Sequence, residues 1–557
     1  MNLKIAFPYI LRLQVFSAGA AVMALEILGS RLLAPYFGNT LFVWGSLIGA
    51  VLAGLSVGYY YGGKISDVKP DYATFSLIIC LAGIYVLITT FTLGGIFEFV
   101  LLMRIGDRFG PLVATIIILG IPSILLGMVS PYAIKLSAKT LKRVGATAGN
   151  LYFVSTVGSI FGTFITAFFL IPEFGVTNIL YGLSIMLIGI SLVGLPLKWK
   201  TVAVVMLSIA LALAASTPSY SEGVVYQRDT LYHRLIVVDN SVTGVRTLVL
   251  DDNFHSAMDL RNPQRVVFLY TGFFHLGFAI NPNIKDVLFV GGGGFSGPKR
   301  FLADYSDITV EVVEIDEYVV KVAEDHFAVK PDRRLKINIE DGRTFLARSD
   351  KKYDLVVLDA YAKSYVPFHL MTSEFFELVN EHLTQDGVVV SNIITSIEGR
   401  TSNLFRAELK TLEPIFPNLY VFPVSNTDSG VVQNIIVAAS KSNQQISSDE
   451  MIQNIEGIVI IDGSNDYVNH LYDQQIQTHD VPILSDDYAP VETLLNPLTG
   501  QKYVKEIVEG NNVITKESVR TNYSIETLSL NITATTLSIS IAIIGLGLIL
   551  SRKAKLW

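Results

Sequence analysis

The stretch Val287–Leu302, VLFVGGGGFSGPKRFL, runs an apolar, β-branched segment into four glycines and then into a helical pattern. A strand that ends in bare backbone can present amide groups to a nucleotide-like ligand, although the same glycines also suit a plain tight turn. Gly291, Gly292 and Gly293 are therefore weighed together with the acids that follow. Glu314, in VEVVEID, closes the next strand, where a carboxylate can accept hydrogen bonds from both hydroxyls of a ribose. Asp341, in IEDGRTFL, follows the third strand and can accept from an adenine amino group. Asp359 sits at the edge of the fourth, YDLVVLDA, ahead of a loop and an apolar helix start. A dinucleotide would satisfy the glycines and Glu314. The acid on the fourth strand, at the place where a transferase holds its acceptor, argues for a transferred group instead.

The elements needed to position these residues are legible. KDVLFVG, ITVEVVEID, LKINI, YDLVVLDA and GVVVSNI read as strands separated by helix-length spacers such as EYVVKVAEDHFA. That alternation predicts parallel βαβ units in a doubly wound sheet over residues 253–500. VVYQRDT, RLIVVDN and RTLVLDD predict a small antiparallel β lead-in over 217–252. Residues 501–531 read as a linker.

The rest of the chain is apolar. Of its 557 residues 51% are hydrophobic and 16% charged, against about 25% charged in ordinary soluble proteins. Uncharged runs cover 32–63, 72–97, 109–134, 144–172, 174–197, 201–221 and 527–551. With the segment from Pro8 to Leu33 they predict a transmembrane domain of about seven helices over 1–216 and a C-terminal transmembrane helix over 532–551. The 201–216 segment is short enough to be interfacial. Glu26 is the one carboxylate inside a predicted span, with Arg31 nearby, and it serves either as an interhelical strut or in transport. Small residues in GLSVGYYYGG and STVGSIFGTF suit close helix packing. Lys64, Lys69, Lys135, Lys139, Lys142, Arg143, Lys198 and Lys200 fall in alternate loops, which the positive-inside rule puts in the cytoplasm. With seven helices before it, the polar domain of a multi-pass cell-membrane protein then faces outward. The single cysteine, Cys80, leaves no disulfide or cysteine metal site, and we expect no metal. A net charge of -7 speaks against a nucleic-acid partner. A homo-oligomer is compatible with the sequence.

The stretch from about 223 to 495 resembles the spermidine synthase family, the polyamine aminopropyltransferases. GGGG stands where the family has GGGDGG, VVEID where it has its ribose-binding strand, and EDGR where it has its adenine-side Asp. LDAYAKSYVPFHLMTSEFF aligns without a gap with DSSDPxGPAxxLFxxxFY: Asp359 takes the first Asp, Leu370 and Met371 the LF pair, Phe375 and Phe376 the FY pair. MALEILGSRLLAPYFGNT and LSDDYAPVETLL resemble recurring segments of the membrane-fused branch of that family. The resemblance implies a polytopic α-helical membrane domain joined to an α/β Rossmann-like domain of the S-adenosylmethionine-dependent methyltransferase type with a small N-terminal β lead-in. It also implies aminopropyl transfer to a diamine, with decarboxylated S-adenosylmethionine, or S-adenosylmethionine, as co-substrate and no permanently bound cofactor. Its partners would be the small-molecule diamine or another amine and the lipid bilayer.

The sequence departs from the family on the acceptor side. Gly294 replaces the Asp of GGGDGG, Ala362 the second Asp of DSSDP, Tyr270-Thr271-Gly272 the YHE tripeptide, and His255 the Gln of LDGxxQ. The polar groups left for a cationic amine are Asp359, Tyr270, His255, His369 and the Asp486, Asp487 and Tyr488 of SDDYAP. Asp359, Tyr270 and Asp487 are the expected catalytic groups, and His255, Asp486 and Tyr488 join the glycines, Glu314 and Asp341 in binding. Because of the departures, an S-adenosylmethionine-dependent methyltransferase and a non-enzymatic adenosyl-ligand sensor or transporter stand as alternatives.

Overall fold

The computed structural model describes residues 3–37, 40–103, 105–138, 144–215, 223–251, 253–360, 366–425, 429–456, 464–498, 501, 503–509 and 512–518. The predicted helix at 532–551, Ala362 and the loop around it lie outside the described residues. The described chain forms two compact units, divided after Ser221.

In the first unit the described residues form seven helical rods. They are Leu3–Phe37, Leu41–Val68, Tyr72–Leu102, a run over 106–137, a run over 144–173, Val176–Ser191 and Leu197–Ala215. Five contain stretches long and apolar enough to cross a membrane: Pro8–Ala34, Leu41–Val68, Tyr72–Leu102, Arg108–Ser137 and Val144–Leu170. Val176–Ser191, at 16 residues, is shorter than that length. The fourth and fifth rods each contain one π-helical turn, Ile116–Gly120 and Thr166–Leu170, just ahead of Pro122 and Pro172. A proline ring clashes with the carbonyl four residues back, and a widened turn accommodates it. The glycines noted in the sequence sit at helix contacts. A Cβ on Gly158 would lie 2.1 Å from the Phe16 carbonyl oxygen, and one on Gly58 2.3 Å from that of Ile124. Leu52, Ile88, Phe153 and Phe168 stand exposed, so these rods are apolar on the outside as well as within.

The second unit carries the predicted sheet. Seven strands are hydrogen-bonded in the order β10-β11-β9-β8-β5-β6-β7: β5 (Asp286–Val290), β6 (Thr309–Glu314), β7 (Leu335–Ile339), β8 (Tyr353–Leu358), β9 (Leu383–Thr395), β10 (Asn418–Pro423) and β11 (Gln433–Ser440). β5 pairs in parallel with β6 and β8, β6 with β7, and β8 with β9, while β11 runs antiparallel between β9 and β10. This is the Rossmann-like, methyltransferase-type arrangement. Successive strands build outward from β5 in one direction and then from β8 in the other, so β5/β8 is the switch point at which such sheets open a crevice. Period-two alternation divides the core. Leu288, Val290, Val356 and Leu358 pack into the cluster on one face, Val287, Phe289, Leu355 and Val357 into that on the other.

Two boundaries differ from the sequence reading. The antiparallel lead-in has four strands, β1 (Val224–Asp229), β2 (Arg234–Asn240), β3 (Val245–Leu250) and β4 (Asn253–Asp259), and so runs past residue 252. The segment read as a linker over 501–531 contains a β-hairpin, β12 (Tyr503–Glu509) paired with β13 (Asn512–Ser518). β12 is tied to the domain by the Val504 amide to the Val432 carbonyl (2.9 Å) and the Val508 amide to the Val267 carbonyl (2.8 Å).

Candidate active site

Two strand ends meet at the switch point. β5 stops at Gly291, which has φ +97°, and the Asp359 amide donates to the Val290 carbonyl at 2.9 Å. A Cβ at 291 would lie 2.5 Å from the Asp359 carbonyl oxygen, so both the backbone angle and the close approach require glycine. The amides of Gly292 and Gly293 then turn to Oε2 of Glu314, at 2.8 and 3.3 Å, while Oε1 accepts from the Asp316 amide at 3.1 Å. Glu314 is thus brought against the glycine loop as the sequence suggested, and it holds the loop together as well. The Gly294 amide donates to Ser256 Oγ at 2.8 Å. A Cβ at 294 would lie 2.7 Å from the Ser256 Cβ and 3.0 Å from Phe327 Cδ1. This loop therefore has no room for the aspartate of the GGGDGG pattern, and the β-domain fills that position with Ser256.

Asp341 caps the helix Gly342–Arg348 through the Thr344 amide (2.9 Å) and meets His369 Nε2 at 2.9 Å. Burial opposes its charge, but the bonds from His369 and Thr344 outweigh this and hold the carboxyl below its ordinary value. An adenine amino group would have to share or displace His369.

A line of donors converges on Asp359 from the other side. The Tyr503 hydroxyl bonds Oδ1 of Asn434. Asn434 Nδ2 donates to Asn392 Oδ1 at 2.8 Å, and Asn392 Nδ2 to Asp359 Oδ1 at 2.9 Å. The Tyr270 hydroxyl donates to the His255 carbonyl at 3.1 Å and lies against Asp359. Burial pushes the Asp359 carboxyl up to about 7, against the lowering pull of Asn392, of Lys505 and of Tyr270. Burial likewise brings the Lys505 ammonium down to about 7, while the charge of Asp359 works the other way. His255 is driven down to about 3 by burial and then by repulsion from His233 and Lys505, so it stands neutral at pH 7. A carboxylate that titrates near neutrality, beside amide and hydroxyl donors and within the field of Lys505, can take a proton from an amine.

SDDYAP is not brought to this cluster. Asp486 forms a bidentate pair with Arg343 (2.6 and 2.5 Å) and accepts from Thr372 Oγ1 (2.8 Å), which ties its loop to the domain. Asp487 and Tyr488 are exposed on that loop, in contrast to the buried surroundings of Asp359. Conversely, Asn392, Asn434, Tyr503, Lys505 and Ser256 are site residues that the sequence reading did not single out. Asn392 and Asn434 were visible as polar residues inside apolar strands, SNI and QNIIVAA.

Residues 269–448 match the spermine/spermidine synthase domain. Among curated proteins similar to the chain is the polyamine aminopropyltransferase of Vibrio vulnificus, 28% identical over 228 residues, which are 40% of this chain and 74% of the relative. The probable polyamine aminopropyl transferase of Bifidobacterium longum is 26% identical over 278 residues, 48% of this chain and 59% of the relative. The polyamine aminopropyltransferase of Alkaliphilus metalliredigens is 34% identical over 154 residues, 27% of this chain and 54% of the relative. The chain thus spans only part of each relative's length. Among solved structures, a probable spermidine synthase from Corynebacterium glutamicum aligns at TM-score 0.37 and 21% identity, over 42% of this chain and 87% of that one. The spermidine synthase of Thermotoga maritima aligns at TM-score 0.34 and 18% identity, over 46% and 80%. The synthase match begins at Leu269, so it includes Tyr270, the glycine loop, Glu314, Asp341, Asp359, Asn392 and Asn434, but ends before Tyr503 and Lys505.

Proposed function

We propose that the chain is an aminopropyltransferase of spermidine synthase type, held in a cell membrane by its apolar helices, that moves an aminopropyl group from decarboxylated S-adenosylmethionine to a primary amine such as a diamine. The observation that carries this reading is the position of Asp359: its backbone packs against the glycine that follows β5, and its carboxylate accepts from Asn392 Nδ2 at 2.9 Å beside Tyr270. The glycine loop and Glu314 bind the adenosyl end of the donor, with Glu314 accepting from the ribose hydroxyls and Asp341 from the adenine amino group. The acceptor amine is mostly protonated at pH 7, since such groups titrate near about 10.4. Asp359 takes its proton, with Tyr270 orienting the amine. The amine nitrogen then forms a bond to the propyl carbon next to the sulfonium, the carbon–sulfur bond breaks, and the electron pair leaves with methylthioadenosine. Positioning does most of the work, because the sulfonium is already an activated leaving group. Asp486, Asp487 and Tyr488 have no part in this reading.

The absence of a side chain at 294 favours a second reading, an S-adenosylmethionine-dependent methyltransferase, because the family's glycine-loop acid has no counterpart there. Incubating the full chain with labelled decarboxylated S-adenosylmethionine and, in parallel, labelled S-adenosylmethionine, each with putrescine or spermidine, separates the two. Label appearing in a longer polyamine only from the decarboxylated donor is the expected result. Methyl label in the amine would replace the proposal with the second reading, and binding without transfer of either label would leave a sensor.

A further inference from the structure

The segments that should leave room for an acceptor converge instead on a lysine. Lys505 Nζ donates to the Phe254 carbonyl at 3.1 Å and lies 3.7 Å from the centre of the Phe268 ring, with the rings of Tyr503 and Phe254 at 5.5 and 5.8 Å. The charge of Asp359 acts on it from beyond ion-pair distance, and Tyr270 lies beside Phe268, their ring centres 6.4 Å apart. A carbonyl, aromatic faces and a carboxylate are together the chemistry that recognises a primary ammonium.

Alternation along β12 turns Tyr503 and Lys505 to one face, both almost fully buried. An apolar side chain at 505 would fill that space without the desolvation cost that a buried ammonium carries. The hairpin instead places a tethered alkylammonium on the Phe254 carbonyl and the Phe268 ring, within reach of the Asp359 charge.

We propose that the Lys505 ammonium occupies the seat of the acceptor amine, so that the β12–β13 hairpin is an intramolecular competitor that an incoming amine must displace. This rests on the reading of the Asp359 side as the acceptor site. It assigns to Lys505 the control of acceptor affinity: a seat open only a tenth of the time weakens apparent binding by about tenfold.

The test uses the full chain in detergent, saturated with methylthioadenosine, and measures putrescine binding by calorimetry for wild type and Lys505→Met. The expected result is binding tighter by about tenfold or more in the variant, with methylthioadenosine affinity unchanged. Equal or weaker putrescine binding in a variant that still binds methylthioadenosine overturns the proposal, as does putrescine binding to neither protein. A second measurement needs no variant. Hydrogen exchange at the Val504 and Val508 amides, which anchor β12, should speed up in wild type when putrescine is added, and unchanged protection overturns the proposal. Both readouts are of binding alone, so tighter amine binding without aminopropyl transfer would sink the proposed reaction and leave the seat assignment standing.

Discussion

Removing the Asn392 side chain should move the pH dependence of transfer without abolishing it. Asn392 donates to Asp359 at 2.9 Å and is among the groups that pull the Asp359 carboxyl down against burial. A hydrogen bond to a charged group is worth about 1.5–3 kcal/mol, and about 1.36 kcal/mol corresponds to one pH unit. The sign follows from which form the bond favours. Asn392 stabilises the ionised carboxylate, so Asn392→Ala should raise the pH at which Asp359 becomes a competent base. The rising limb of kcat/KM, centred near the carboxyl's value of about 7, should shift upward by about 1–2 units. Tyr503→Phe breaks the same donor chain two bonds further out, where only polarisation along the chain is lost, and should move the limb in the same direction by less. Asp359→Asn should remove the limb and lower turnover by about 10²–10⁴-fold, the usual contribution of a general base. The assay is initial-rate release of methylthioadenosine across the neutral and mildly alkaline range, with the amine varied. A limb that does not move in an active Asn392→Ala variant, or full turnover by Asp359→Asn, would refute the assignment of Asp359 as the base.

Glu314→Ala should weaken methylthioadenosine binding in calorimetry by about 10²-fold or more, since two charge-assisted bonds to ribose are lost; unchanged affinity would remove Glu314 from the donor site. Gly291→Ala should lower the denaturation midpoint of the second unit, because a Cβ would sit 2.5 Å from the Asp359 carbonyl oxygen at a φ of +97°; a folded variant of unaltered midpoint would mean that β5 and β8 are not this close. Asp487→Asn should change the amine KM by no more than about twofold, as expected of an exposed residue away from the site, whereas a large rise would return SDDYAP to the acceptor site. For sidedness, cysteines placed at Ser349 and at Lys555 can be probed on intact cells with a membrane-impermeant thiol reagent. Labelling at 349 is expected from the distribution of basic loops, and labelling at 555 without 349 would reverse the orientation.

The parallel sheet was legible because its strands alternate with helix-length spacers, and the meeting of the glycine loop with Glu314 because both fall at successive strand ends. Asp359 was legible for the same reason. The acceptor side was not, because its groups come from residues far apart in sequence. Asn392 and Asn434 face each other only once β9 and β11 pair antiparallel, a pairing that no local pattern announces. His369 stands among the polar groups open to an amine, but inside VPFHLM a satisfied loop histidine is the favoured expectation, and the fold pairs it with Asp341. The hairpin could have been found: YVKEIVE and NVITKES are β-branched runs flanking Gly510-Asn511, a two-residue turn signal. Its charged residues made it read as a linker.

The span that matches the synthase domain ends at residue 448, whereas Tyr503 and Lys505 reach the acceptor side from the hairpin. Sequence likeness and catalytic completeness therefore have different edges in this chain. A fragment cut where the likeness stops would keep the glycine loop, Glu314 and Asp359 and lose Tyr503 and Lys505, which in the proposed reading form one side of the acceptor site. If the proposed reaction holds, the kinetics of such a fragment would differ from those of the full chain in the amine rather than in the donor.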